Sequence, residues 1–465
     1  MGDRTGPRSA WVLAWFLSAI SSLVVLHLVE PELTLSWSFA GLRAAWGTVL
    51  PALVAGALVF AVVLLCWRAE IGDRVPRRPS VSAIMIWGLL LWLILLLVGF
   101  RWPAPDVCPD AAYLPFQLQV HGRGNPRWLL AVPLLQVLFA PFDGRLDPDL
   151  FLRAVNALFS TMSVLLTAGI ALRLGRSLRE VVAIVVLVWT GLGTLQLAFG
   201  YVDIYPLVQL LVALYLWTAI RYLDGDGSVF WPLVVAVARP CFYIGLILLG
   251  PSVLVLLFST WQRRDLNAVS LALCVALTLA GLATMPMFGT VFAVPAWLHR
   301  LSNVGVYGLN PGRQTLPVSY MFSMRHAGEV ISSLVLLDGV ALVLVAALPI
   351  RTRVGMLLLL ILLARLAFVI AMDPVWGPYS DWDLFSYPTF PLGVGAGLAF
   401  ATWSRGRSRM AGVVLGPALA ASTVHLFARL NTLHLDFERH NTASPFHIPN
   451  LAPSVFKPSV RRSVP

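Results

Sequence analysis

Asp106, Asp110, Asp203, Asp381 and Asp383 stand in short polar stretches between long apolar runs, and each stretch also carries proline and aromatic residues. A carboxylate in that setting can take a proton from a hydroxyl at a membrane surface, hold a divalent metal, or cap a helix. In Pro103-Ala-Pro-Asp106-Val-Cys-Pro109-Asp110, the prolines end one apolar run and Pro109 suits the first position of a new helix. Asp110 would then sit in a first helical turn, as a general base or as an acid that favours the helix dipole. Asp381 and Asp383 flank Trp382 beside Tyr379 and Tyr387. In an extended segment their carboxylates share a face, a geometry fit for binding or for a divalent metal. Asp203 lies in Phe199-Gly-Tyr-Val-Asp203-Ile-Tyr205-Pro206, where a turn or capping role competes with binding.

The cationic candidates are fewer. Arg239 interrupts an apolar stretch at Ala238-Arg239-Pro240. A charge at mid-membrane costs about 2.5–3.5 kcal/mol even on the permissive insertion scale, so it calls for a reason. At a hairpin tip it could face an aqueous cavity and pair with a phosphate; snorkelling to the interface is the alternative. Arg325-His326 directly precedes an apolar run and could either anchor that helix or hold a lipid phosphate at headgroup depth.

The surrounding elements must place these groups in lipid. The 465-residue chain has a mean hydropathy of +0.82 and only 12% charged residues, against roughly 25% in soluble domains. The net charge of +11 comes from arginines clustered between apolar runs, which is the pattern of membrane anchoring and excludes a nucleic-acid surface. Four scattered cysteines form no CxxC pair. Runs long enough to cross a bilayer fall near 11–29, 47–67, 82–100, 150–172, 181–199, 204–222, 266–288, 328–349, 354–372, 385–403 and 411–430.

Residues 229–258 admit one long helix or two short ones. A hairpin puts Arg173, Arg176, Arg179, Arg221, Arg263, Arg264, Arg351, Arg353 and Arg405 on one inner side with Arg68 to Arg78, whereas a single crossing reverses everything downstream. The hairpin gives about 13 spans, an inner N-terminus, an outer C-terminus and the aspartate loops outside. Within the outer loop 101–149, the stretch Trp128–Phe142 is too short to cross and contains Pro133, so it reads as a surface helix. Asp147-Pro148 has the form of an N-cap followed by proline at the first helical position. The organisation expected is N-terminal spans over 1–80, a core over 81–403 with outer loops 101–149 and 289–327, a last span over 404–430, and a polar tail over 431–465.

The arrangement resembles the GT-C superfamily of membrane glycosyltransferases that use polyprenyl-phosphate-linked sugars. The resemblance rests on the acid-bearing first outer loop with its surface helix, the Phe199–Tyr205 turn, Arg239-Pro240, the loop ending Tyr320-Met-Phe-Ser-Met-Arg-His326, and the Asp381-Trp-Asp383-Leu-Phe block. It implies an all-α polytopic protein of about 11–13 spans, with Asp110, or failing that Asp106, deprotonating an acceptor hydroxyl. Asp203, Tyr205, Arg239, Arg325, His326, Asp381 and Asp383 would bind substrate. The implied partners are a polyprenyl-phosphate-linked sugar, a glycan, lipid or protein acceptor, and the lipid bilayer of a bacterial inner membrane, with the active site on the outer side. A divalent metal is left open. The competing expectations are a lipid-linked glycan polymerase or ligase, and a transporter or flippase, which predicts ionisable residues within helix interiors; Arg365 is one such residue.

Overall fold

The computed structural model describes residues 81–101, 130–189, 204–242, 250–263, 341–371 and 389–405, with single positions between them. Among these residues there is helix, turn and no strand. The helices are α1 (Val81–Arg101), α2 (Ala131–Phe139), α3 (Pro148–Leu174), α4 (Leu178–Trp189), α5 (Tyr205–Leu223), α6 (Phe230–Phe242), α7 (Gly250–Arg263), α8 (Arg353–Ala371) and α9 (Thr389–Ser404).

The expected runs 82–100, 150–172, 204–222, 354–372 and 385–403 become helices with ends shifted by a few residues at most, whereas 11–29, 47–67, 411–430 and nearly all of 266–288 lie outside the described residues. α3 starts where capping chemistry predicts. The Asp147 carboxylate accepts from the backbone N–H of Asp149 at 2.8 Å and of Leu150 at 3.3 Å, and Pro148 occupies the first turn. α4 starts on a side-chain cap: Ser177 Oγ accepts from the Glu180 N–H at 3.3 Å, while the Glu180 carboxylate reaches past Ser177 to accept from the Arg176 N–H at 2.9 Å.

The solvent of this bundle is lipid. α3 and α5 are both long and apolar enough to cross a membrane. α1 leaves Met85, Ile86, Trp87, Leu89, Ile94 and Leu97 exposed, and α7 exposes Leu254, Phe258 and Trp261. Faces of that size do not survive in water on a monomer, and together with the composition they make the chain an all-α polytopic membrane protein.

Helix directions follow from contacts. Trp217 on α5 packs over Gly169 on α3, and Arg173 near the end of α3 pairs with Asp226 just past α5, so α3 and α5 run the same way. α7 also runs with α5: the Tyr215 hydroxyl bonds Ser252 Oγ at 2.6 Å and that of Tyr222 bonds Thr260 Oγ1 at 2.9 Å. α6 joins α5 through a six-residue turn containing Gly225 and Gly227, whose φ of +92° and +111° favour glycine, and therefore runs back. Residues 229–258 are thus two opposed helices, the hairpin that charge favoured.

Among the described residues, Arg173, Arg221, Arg263, Arg353 and Arg405, all expected on one side, gather at one end of the bundle, which we call the basic end; Arg68 to Arg78 and Arg264 lie outside the described residues. Arg263 donates to the Tyr222 and Leu223 carbonyls at 2.7 and 3.1 Å, capping the last turn of α5. Arg405 reaches Glu180 at 3.3 Å and the Leu174 carbonyl at the end of α3 at 3.5 Å. Arg353 at the start of α8 donates to Gln262 at 2.8 Å. Arg173 and Arg221 both engage Asp226. These side chains do more than set orientation, because a cation at a helix C-terminus also offsets the macrodipole.

α4 and α9 form the tightest seam. A Cβ on Gly393 would lie 2.7 Å from Val188 Cα, and one on Gly397 would lie 2.9 Å from Ile184 Cα. Between helices in lipid, close backbone approach of this kind replaces the hydrophobic drive that water would supply.

Candidate active site

The basic end fixes where the opposite, far end lies. α1 finishes there, since Gly88 packs on Leu165 and Leu95 on Ala157 further up α3. α3, α5 and α9 begin there, and α8 points toward it. The chain stretches that carry Asp106 and Asp110, Asp203, and Asp381 and Asp383 therefore leave or enter described helices at the far end. Those aspartates, together with Arg325 and His326, lie outside the described residues. Tyr205 and Arg239 lie within them.

Tyr205 is the first residue of α5 and is buried, with Pro206 next to it in the first turn. The α2 helix, read as a surface element, packs at this end as well. It is followed by a 3₁₀ turn (Ala140–Phe142) and buries Ala131, Val132, Leu135 and Phe139. The Phe139 and Phe142 rings contact Phe151 on the first turn of α3, at 5.1 and 6.0 Å between centroids.

Arg239 differs from its expected setting at a hairpin tip. It lies within α6, has 0% exposure, and its guanidinium carbon sits 3.8 Å from the centroid of the Tyr215 ring. The Tyr215 hydroxyl is held by Ser252 on α7, so three helices fix one cation: α6 supplies it, α5 its aromatic face and α7 the bond that orients the ring. Tyr215 and Ser252 carried no signal in the sequence, because both sit inside apolar runs and their partners come from other helices.

Three further polar groups are buried inside the bundle. Gln209 is buried on α5 one turn below Tyr205, and Arg153 is buried on α3, where it donates to Asp149 at 2.6 Å. Asp338 is buried against Gly191, and its Oδ1 accepts from the Ala341 N–H at 3.1 Å. Arg365 on α8 has 0% exposure. Among the described residues, no three His, Cys, Asp or Glu side chains come together as metal ligands.

No protein family and no curated protein matches this chain. Two solved structures are similar to it. Both are ArnT from Cupriavidus metallidurans. The one bound to undecaprenyl phosphate is 13% identical, with a TM-score of 0.48 over 76% of this chain and 78% of that chain. The apo form is 14% identical, with a TM-score of 0.48 over 76% and 77%.

Proposed function

We propose that this protein is a GT-C-type membrane glycosyltransferase that moves a sugar from a polyprenyl-phosphate donor to an acceptor hydroxyl on the outer face of the membrane, with inversion. The observation that carries this reading is the separation of charge along the bundle. Arg173, Arg221, Arg263, Arg353 and Arg405 collect at one end, and the helix ends that lead to Asp106, Asp110, Asp203, Asp381 and Asp383 lie at the other.

In this reaction Asp110 removes the acceptor proton and the acceptor oxygen attacks the anomeric carbon. The bond from that carbon to the phosphate oxygen breaks, and the phosphate leaves with the negative charge. A positioned base is typically worth about 10²–10⁴-fold, and cations facing the leaving group add further stabilisation. Arg239, Arg325 and His326 are the groups proposed for that second task, and Asp203, Tyr205, Asp381 and Asp383 are the residues proposed to bind substrate. Asp106 is the alternative base.

The test is sugar transfer by purified protein in lipid, using radiolabelled polyprenyl-phosphate sugars. Asp110→Asn should lose turnover while still binding donor, since it removes the base without removing bulk. Arg239→Ala should raise the donor concentration needed. Full activity of Asp110→Asn would move the base to Asp106, and unchanged donor affinity of Arg239→Ala would make that residue structural.

A second reading draws on a specific observation. Arg239, Asp338 and Arg365 are ionisable groups buried inside the bundle, as a transporter or flippase for a lipid-linked substrate would require. Movement of labelled lipid across a vesicle membrane without sugar release would select it.

A further inference from the structure

Gln209 is, with Ser259, one of the buried uncharged side chains of the described residues whose polar atoms meet no protein partner. It is 5% exposed, and neither its amide oxygen nor its amide nitrogen meets a hydrogen-bonding protein group. Several other buried hydroxyls are provided for. Thr161, Ser163 and Thr167 on α3 donate to the carbonyls one turn earlier at 2.9, 2.9 and 2.7 Å, and Thr194 and Thr389 bond each other at 3.1 Å. Counting back equally along α5 and α3 from the Trp217–Gly169 contact sets Gln209 level with Thr161, at the midpoint of α3 and one turn into α5.

An amide buried with both ends unfilled is costly, and an apolar residue would remove the cost. Tyr205 is four residues earlier on the same face of α5, where the stretch containing Asp203 enters the helix. We infer that Gln209 is a recognition residue for the sugar of a lipid-linked donor, with its amide bonding ring hydroxyls. This rests on the function proposed above. The chemistry selects the sugar over the phosphate. A neutral amide offers an acceptor and two donors in one plane, which suits adjacent hydroxyls, whereas a phosphate is best met by cations.

The experiment measures binding of polyprenyl-phosphoryl glucose, mannose and arabinose, and of bare polyprenyl phosphate, to full-length protein in lipid nanodiscs, alongside thermal melting. Gln209→Met keeps length and volume. It should weaken the tightest-binding sugar lipid by about tenfold, leave bare polyprenyl phosphate unchanged, and melt at the same temperature or higher. For the wild type, at least one deoxy analogue of that sugar should lose the same factor, and Gln209→Met should be indifferent to that deletion.

Unchanged sugar-lipid affinity in Gln209→Met overturns the inference and leaves the proposed function standing. So does a fall in melting temperature accompanied by equal weakening of both kinds of lipid, which marks a structural side chain. A wild type that binds no sugar lipid better than bare polyprenyl phosphate overturns the inference and the proposed function together.

Discussion

Asp226 shows how a single side chain can tie three helices. It follows α5, takes Arg173 from α3 and Arg221 from α5 itself, and lies in the turn that launches α6. The hydrogen bond and charge of Arg173 hold its carboxyl below the usual carboxylate range. A carboxyl lowered by folding stabilises the fold above its unfolded pKa, and that contribution disappears as pH falls through the folded value. Nearby Asp224 has the opposite sign: burial pushes it up, partly offset by Arg173, so acid relieves a cost there. Asp226→Asn should therefore melt earlier than wild type at neutral pH, and the difference should vanish at acidity that protonates the wild-type carboxyl. Melting curves across pH check this. The pair is partly exposed, so the effect should also shrink with salt.

At this scale legibility was mixed. The Asp147 cap could be read because capping is local, and Arg239 could be singled out because a charge in an apolar run is conspicuous. Tyr215, Ser252 and Gln209 could not, since burial and cross-helix partners leave no trace in local pattern.

At the scale of elements, apolar runs fixed helix positions because lipid demands continuous apolar length. Opposed helices over 229–258 followed from counting arginines, which works because each lost or gained crossing moves every later cluster across the membrane. Helix neighbours were not legible. Gly393-Val-Gly395-Ala-Gly397 does suggest a small-residue face, but only the structure shows that Gly393 and Gly397 meet α4 while Gly395 meets the Val345 and Leu362 side chains. The distinction has a consequence. A methyl on Gly393 or Gly397 runs into backbone, which cannot step aside, so alanine there forces α4 and α9 apart at a cost of about 1–3 kcal/mol. At Gly395 the methyl meets movable side chain ends at 3.1 and 3.6 Å. Gly393→Ala and Gly397→Ala should lower the melting temperature in lipid, and Gly395→Ala should lower it less. Equal losses at the three positions would mean that the seam is not what holds α9.

For the whole molecule, the long α3 relates the two ends. Its 27 residues span about 40 Å, from the Asp147 cap and the exposed turn around Gly144 to the Arg173–Asp226 pair at the basic end. If the arginines face the cytoplasm, the turn at 143–147 and the stretches bearing the candidate aspartates emerge outside, where a lipid-linked donor and an external acceptor can meet. Single cysteines decide this directly, after the four native cysteines are replaced by serine. Asp143 and Ser228 are both exposed and lie at opposite ends. In intact cells a membrane-impermeant maleimide should label Asp143→Cys and spare Ser228→Cys, which should react only once the membrane is opened. The reverse pattern would put the aspartates in the cytoplasm, where acceptor and donor chemistry would differ and the outer-face transfer proposed here would fail. Labelling of both in intact cells would mean the bundle does not span the membrane along α3, against its length, its apolar surface and the gathering of arginines at one end.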